Sequence, residues 1–157
     1  MIIRKGTYQG GLIVQLEGTE EAPILIQGES LDAAITGTEA NRDALRLDHS
    51  SYVTIDRLTA RDATRAGIGI IHSHHITVTN CRLADNGLWG IFTGFADDVR
   101  FEGNECYGSK KEHGIYHSNS GDQLENPSRK RSSACAWLKH PFWIQNLSAC
   151  LLLPVMA

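Results

Sequence analysis

The chain predicts an all-β solenoid, a parallel β-helix with coils of about 23 residues, and two observations carry that prediction. Three consecutive stretches repeat one pattern: ALRLDHSSYVTIDRLTARDATRA at 44–66, GIGIIHSHHITVTNCRLADNGLW at 67–89 and GIFTGFADDVRFEGNECYGSKKEH at 90–113. A fourth copy opens at Gly114 as GIYHSNSGD. Within each copy, apolar residues fall at every second position in three short groups, which is the spacing of strands and not of helices. A unit this short cannot bury its own apolar face, so successive units must stack.

The first strand of each coil is marked by Leu45, Ile68, Ile91 and Ile115, with Leu47, Ile70, Thr93 and His117 two places on. A tight turn holding Ser50, Ser73 or Ala96 leads to a second inward pair: Val53 and Ile55, Ile76 and Val78, Val99 and Phe101. A third follows as Leu58 and Ala60, Cys81 and Leu83, Asn104 and Cys106. Three strands per coil, each pairing with its equivalents above and below at about 4.8 Å, give three parallel sheets. Leucine-rich, TPR and ankyrin arrays are excluded, since neither an LxxLxLxxN spacing nor a 3.6-residue period occurs. Asn104 is polar at an inward place, and an asparagine in such a turn can bond backbone groups along the stack.

Residues 1–43 carry the alternation less regularly and read as one to two irregular first coils, residues 44–122 as the regular coils, and residues 123–157 as a non-repeat tail. All 15 glycines lie at or before Gly121, and a basic stretch, Ser128–Ser133, opens the tail. The abrupt change favours a segment foreign to the fold, such as an out-of-frame end, over a cap in which Trp137, Phe142 and Trp143 cover the last coil.

The opening, IRKGTYQGGLIVQLEGTEEAPILIQGE, resembles the start of right-handed parallel β-helix proteins of the pectate-lyase superfamily. Chondroitinase-B-like and alginate lyases share a similar xGxYxG…GTxxxPIxIxG run. The resemblance spans about residues 1–122 and implies a right-handed coil acting on acidic polysaccharides, with polysaccharide lyase activity as one outcome. It also suggests an extracellular or periplasmic setting, although the N-terminus shows no signal peptide. No motif here matches the catalytic groups of that superfamily, so none is carried over.

Composition narrows the partners. The chain has 157 residues, 41% hydrophobic and 21% charged, with a formal net charge of −3, which argues for one domain with a continuous core and against nucleic acid as partner. Its late apolar run, Leu151–Met156, is far shorter than the roughly 20 residues a membrane span requires. The four cysteines, Cys81, Cys106, Cys135 and Cys150, form no zinc-type spacing, and the first two read as small buried hydrophobes. Uncapped coil ends would favour end-to-end self-association.

Function is sought among the outward positions. Arg46, Phe92 and Tyr116 share one outward column, with Gly69 between the first two and Trp89 just before the third copy. Aromatic faces beside cations suit sugar rings that carry carboxylates or sulfates, which makes Trp89, Phe92, Tyr116 and Arg46 the expected substrate-binding set. The competing reading is that Trp89 or Phe92 only packs on a loop. Elimination on a uronic acid chain needs a cation for the carboxylate and a base for the carbon-bound proton, and Lys110, Lys111 and His113 are the expected catalytic set. The competing reading for KKEH is a solvated charged turn. His117 reads as structural.

No metal site is assigned. Asp62 and Asp85 align one coil apart, and Asp97, Asp98, Glu102 and Asp122 add further carboxylates, so calcium stays open as a cofactor. His72, His74 and His75 offer an i, i+2 pair with no third ligand and read as surface histidines. The rival to a carbohydrate-active domain is a non-catalytic structural or adhesion repeat.

Overall fold

The computed structural model describes residues 1–10, 12–117 and 133–137, of which 12, 13 and 133–137 are described by backbone alone. Among these residues there is no helix. Fifteen strands follow in order: β1 (Ile2–Ile3), β2 (Gly6–Gln9), β3 (Leu12–Val14), β4 (Ile24–Gly28), β5 (Ala33–Thr36), β6 (Asp43–Asp48), β7 (Ser51–Asp56) and β8 (Thr59–Arg61) complete the first half. The second half holds β9 (Ala66–Ile71), β10 (His74–Thr79), β11 (Arg82–Ala84), β12 (Trp89–Gly94), β13 (Asp97–Tyr107), β14 (Ile115–His117) and β15 (Ser133–Trp137).

Every strand pairing is parallel, and partners lie one coil apart. The ladder β3-β6-β9-β12-β14 forms one sheet, termed the first sheet below. A second ladder runs β1-β4-β7-β10-β13 and a third β2-β5-β8-β11-β13. Because β13 runs unbroken past the corner, these two join into one ten-stranded sheet. Residues 1–43 accordingly hold the first coil, β1 to β3, and most of the second. The tail lies outside the described residues except for β15, whose backbone pairs in parallel with β13 across a register irregularity between Phe101 and Asn104.

The core is a set of columns. Leu45, Ile68 and Ile91 stack in register, as do Val53, Ile76 and Val99, and all are at most 1% exposed. Fully burying an aliphatic side chain of this size stabilises by about 1.5–3 kcal/mol, so each column is a substantial term. Cys81 and Cys106 are free, buried thiols, both pushed up to about 12 by burial, as suits small core hydrophobes.

Polar residues inside the stack close the corners. Asn104 accepts from the Cys81 N–H (2.9 Å) and donates to the Val78 carbonyl (2.8 Å); Asn86 accepts from the Ala63 N–H (3.1 Å) and donates to the Ala60 carbonyl (3.3 Å). The Ser73 hydroxyl accepts from the Ser50 N–H, and the Ser50 hydroxyl from the Leu16 N–H, both at 3.0 Å. Each pairs a corner amide that points away from any ladder, which is how a buried turn avoids orphaned donors.

The bends themselves use left-handed backbone at a fixed period. Four corner columns have positive φ: His49, His72 and Phe95; Tyr52, His75 and Asp98; Arg57, Asn80 and Gly103; Asp62, Asp85 and Gly108. Local sequence preference is overridden here by the repeating geometry of the coil, since Tyr, Arg and Phe rarely take that conformation unaided.

Candidate functional site

The first sheet presents one outward face, and the expected binding residues assemble on it. Register places Arg46 beside Gly69, Gly69 beside Phe92, and Phe92 beside Tyr116. Trp89, in register with Ala66 at the start of β12, turns its ring onto this column, where it stacks on Phe92 and Tyr116. The three aromatics stack on one another: Trp89 and Phe92 have centroids 4.7 Å apart, Trp89 and Tyr116 5.3 Å, and Phe92 and Tyr116 5.9 Å with planes only 6° apart. Tyr116 is 41% exposed and forms the outer end of the stack. The stacked rings cover parts of one another and form a contiguous apolar patch, with Tyr116 its most exposed member. The buried Trp89 Nε1–H has no hydrogen-bond partner among the described residues.

Two residues absent from the sequence-based reading support this patch. Arg65 places its guanidinium carbon 4.9 Å from the centre of the Phe92 ring, a cation–π contact. Asp43, 3% exposed, holds that guanidinium with both oxygens, Oδ1 accepting from Nε at 2.7 Å and Oδ2 pairing with Nη2. Asp43 Oδ1 also accepts the Ala66 N–H at 3.2 Å. Gly69 makes room for the pair, because a Cβ there would sit 2.5 Å from Asp43 Oδ2. A glycine in an outward column of large side chains was the available sequence signal. Asp43 was hard to see because it falls one residue before the first regular copy.

Arg46 lies two strand spacings from Phe92, roughly 10 Å. It is half-buried, and its Nη2 donates to Asp48 Oδ2 at 2.6 Å. The face therefore runs from Arg46, across the Asp43–Arg65 pair, to the aromatic stack.

Lys110, Lys111 and His113 are all exposed. They sit in the turn between β13 and β14, which rides one coil above the turn entering β12, as the Lys110 N–H to Asn86 carbonyl bond shows (3.0 Å). The turn thus flanks the face at its Trp89 end. His117 is half-buried and hydrogen-bonded to the Thr93 hydroxyl at 2.7 Å; burial lowers its pKa, with the negative charge of Asp97 opposing that shift.

Among the described residues, the acids that align in sequence belong to no group of three with metal-ligand spacing. Asp62 pairs with Arg61 (3.2 Å) and Asp98 with His75 (3.5 Å), while Asp122 lies outside the described residues. Asp56 is held by Gln27, Asn80 and Arg57; burial pushes its carboxyl up, yet those hydrogen bonds outweigh burial and hold it below the usual carboxylate range. The histidines also group differently from the expected strand pair. His72 and His74 do not act together, because His72 bends the chain at a corner; the stack instead brings His72 over His49, with centroids 4.8 Å apart, next to Asp48. His74 turns to His75, their Nδ1 atoms 2.9 Å apart.

Stacked parallel coils with buried corner amides and one aromatic-faced sheet define a β-solenoid. The chain belongs to the family described as right handed beta helix region, whose model matches residues 24–129. Among solved structures, it is similar to an alginate lyase from Paenibacillus sp. str. FPU-7, with TM-score 0.66 and 20% identity over 82% of this chain and 46% of that one. The chain therefore spans about half the length of that lyase, and the likeness is one of fold. No curated protein matches the sequence. No helix among the described residues is long and apolar enough to cross a membrane.

Proposed function

We propose that this chain is a carbohydrate-active β-helix domain that binds an acidic polysaccharide across the first sheet. The observation that carries the reading is the parallel stack of Trp89, Phe92 and Tyr116, flanked by Arg65 and ending one way at Arg46. A sugar's C–H face packs on such rings while its carboxylate or sulfate meets guanidinium or ammonium groups. The alginate lyase of similar fold makes alginate the first polymer to try. In this reading Lys110, Lys111 and His113, at the Trp89 end, supply charge to the polymer. Cleavage by β-elimination extends the proposal: one cation of that turn neutralises the uronate carboxylate, and a neutral amine or imidazole takes the proton from the carbon next to it. The carbon–carbon double bond forms as the neighbouring glycosidic C–O bond breaks, and the protonated base returns its proton to the departing oxygen.

Alginate, pectate and chondroitin are tested in turn by affinity electrophoresis and by ultraviolet absorbance of unsaturated product. Trp89→Ala and Tyr116→Ala are expected to weaken binding at least about tenfold, equivalent to about 1.4 kcal/mol, with the β-type circular dichroism retained. Undiminished binding by both variants would refute the face. Binding without product would leave a carbohydrate-binding module, and product that vanishes in Lys110→Ala, Lys111→Ala or His113→Ala would make it a lyase. A folded chain that binds none of the polymers would favour a structural or adhesion repeat.

A further inference from the structure

The corner after the first sheet brings together three metal-ligating groups that are 24 residues apart at the extremes: Asp48, His49 and His72. Their ligand atoms all lie within 4.8 Å of one another, and this is the one such group among the described residues. Asp48 is at the centre. Its Oδ2 is fixed by Arg46 Nη2 at 2.6 Å, which aims Oδ1 at His49 Nδ1 (2.7 Å) and His72 Nδ1 (3.8 Å). Oδ1 is buried and accepts no hydrogen bond of good geometry. The His72 ring is clamped between His49 on one side and Phe95 on the other, the latter 4.9 Å away and 11° from parallel. A groove of about 400 Å³, lined in part by Glu17, Thr19, Ser51 and His74, opens beside the two imidazoles.

We infer that Asp48, His49 and His72 form a binding site for a borderline divalent transition ion, of which Zn²⁺ is the type. Ligands around a tetrahedral zinc, at about 2.0–2.2 Å from the metal, stand about 3.4 Å apart. The observed separations from Asp48 Oδ1, 2.7 and 3.8 Å, straddle that value, and convergence on one ion requires the more exposed His49 ring to turn out of its stack on His72. Two imidazoles and one carboxylate select zinc, nickel or copper over calcium or magnesium, which take oxygen ligands. Three protein ligands leave the fourth position open towards the groove, the arrangement of zinc sites that receive water or an exogenous oxygen. Arg46 acts as a positioning residue, because a carboxylate ligand whose second oxygen is pinned cannot rotate away.

The test titrates Zn²⁺ into the chelator-stripped full chain by calorimetry, with Co²⁺ absorption as a spectroscopic check of coordination. One equivalent at micromolar affinity is expected for the wild type. His49→Gln and His72→Ala should each weaken it at least about tenfold, the lower end of what disturbing a metal ligand's support costs, while His75→Ala binds as the wild type does. His49 lies at an exposed rim, so its variant tests the site even if His72→Ala fails to fold. Absence of stoichiometric binding in the wild type, or unchanged affinity in His49→Gln, overturns the assignment; the latter places the ion on other histidines.

Discussion

Replacing Asp43 by alanine tests how the aromatic face is held. Two losses follow from the structure. The Ala66 N–H loses its acceptor at a fully buried position, and an orphaned buried donor costs about 1–3 kcal/mol. Arg65, whose side chain is only 14% exposed, loses a partner that engages it through two oxygens. Removing one member of a buried pair costs about 3–5 kcal/mol in total, and Arg65 can relieve part of it by swinging to solvent, which places the expectation near 3 kcal/mol. For a chain of this size that is a fall in melting temperature of roughly 6–12 °C by circular dichroism at pH 7. Arg65→Ala and the double variant close a cycle whose coupling should reach about 1–3 kcal/mol. Raising salt to half-molar should leave the Asp43→Ala difference nearly intact, because a buried pair is weakly screened. Gly69→Ala should mimic the loss by pushing the carboxylate aside. A melting shift below about 2 °C, or strictly additive single variants, would refute the claim that this pair braces the face.

Three other outcomes follow. Asn104→Ala should lower stability by about 2–4 kcal/mol in thermal melts, since it strands the Cys81 N–H and deprives the Val78 carbonyl, whereas a loss under about 1 kcal/mol would mean water replaces the amide. Asp56→Asn should cost stability at pH 7, and because the folded carboxyl is held low, the gap to wild type should stay constant above about pH 5 and close as the pH falls from the unfolded value near 4 through the folded one; a gap independent of pH would contradict the assignment. Arg46→Ala should weaken Zn²⁺ and polysaccharide binding together, each by calorimetry, while Trp89→Ala touches only the second.

The coil was legible because its inward positions obey one rule at one period: Ile68 and Ile91 announce themselves in any overlay of the copies. The corners were not. Tyr52, Arg57 and Phe95 take left-handed backbone that their side chains do not advertise, whereas Asn80, Gly103 and Gly108, and more weakly Asp62, Asp85 and Asp98, carry the usual sign. That gap misdirected the histidine reading. A strand period of two joined His72 to His74, whereas the coil period joins His72 to His49 and brings Asp48 with it. The aromatic residues were found because they share a column, yet their brace was not, since Asp43 and Arg65 lie 22 residues apart and align with unlike residues in the next copy.

Arg46 belongs to two neighbourhoods, and the coil explains why. An outward residue on this fold meets chiefly the residue one coil above, the one below, and the corner at the end of its own strand. Along its column Arg46 leads, past Gly69, to Phe92; along its strand it reaches Asp48 and so the imidazole pair. A guanidinium cannot lose its charge near neutral pH, so the competition between these directions is set by geometry alone. An anionic polymer that draws Arg46 outward would release Asp48 Oδ2 and loosen the carboxylate that orients His49 and His72. Coupling of that kind is reciprocal, so an ion bound at the corner would in turn hold Arg46 back from the polymer. Under the two proposals, the aromatic face and the Asp48–His49–His72 corner are linked through one side chain, without any moving part larger than an arginine rotamer.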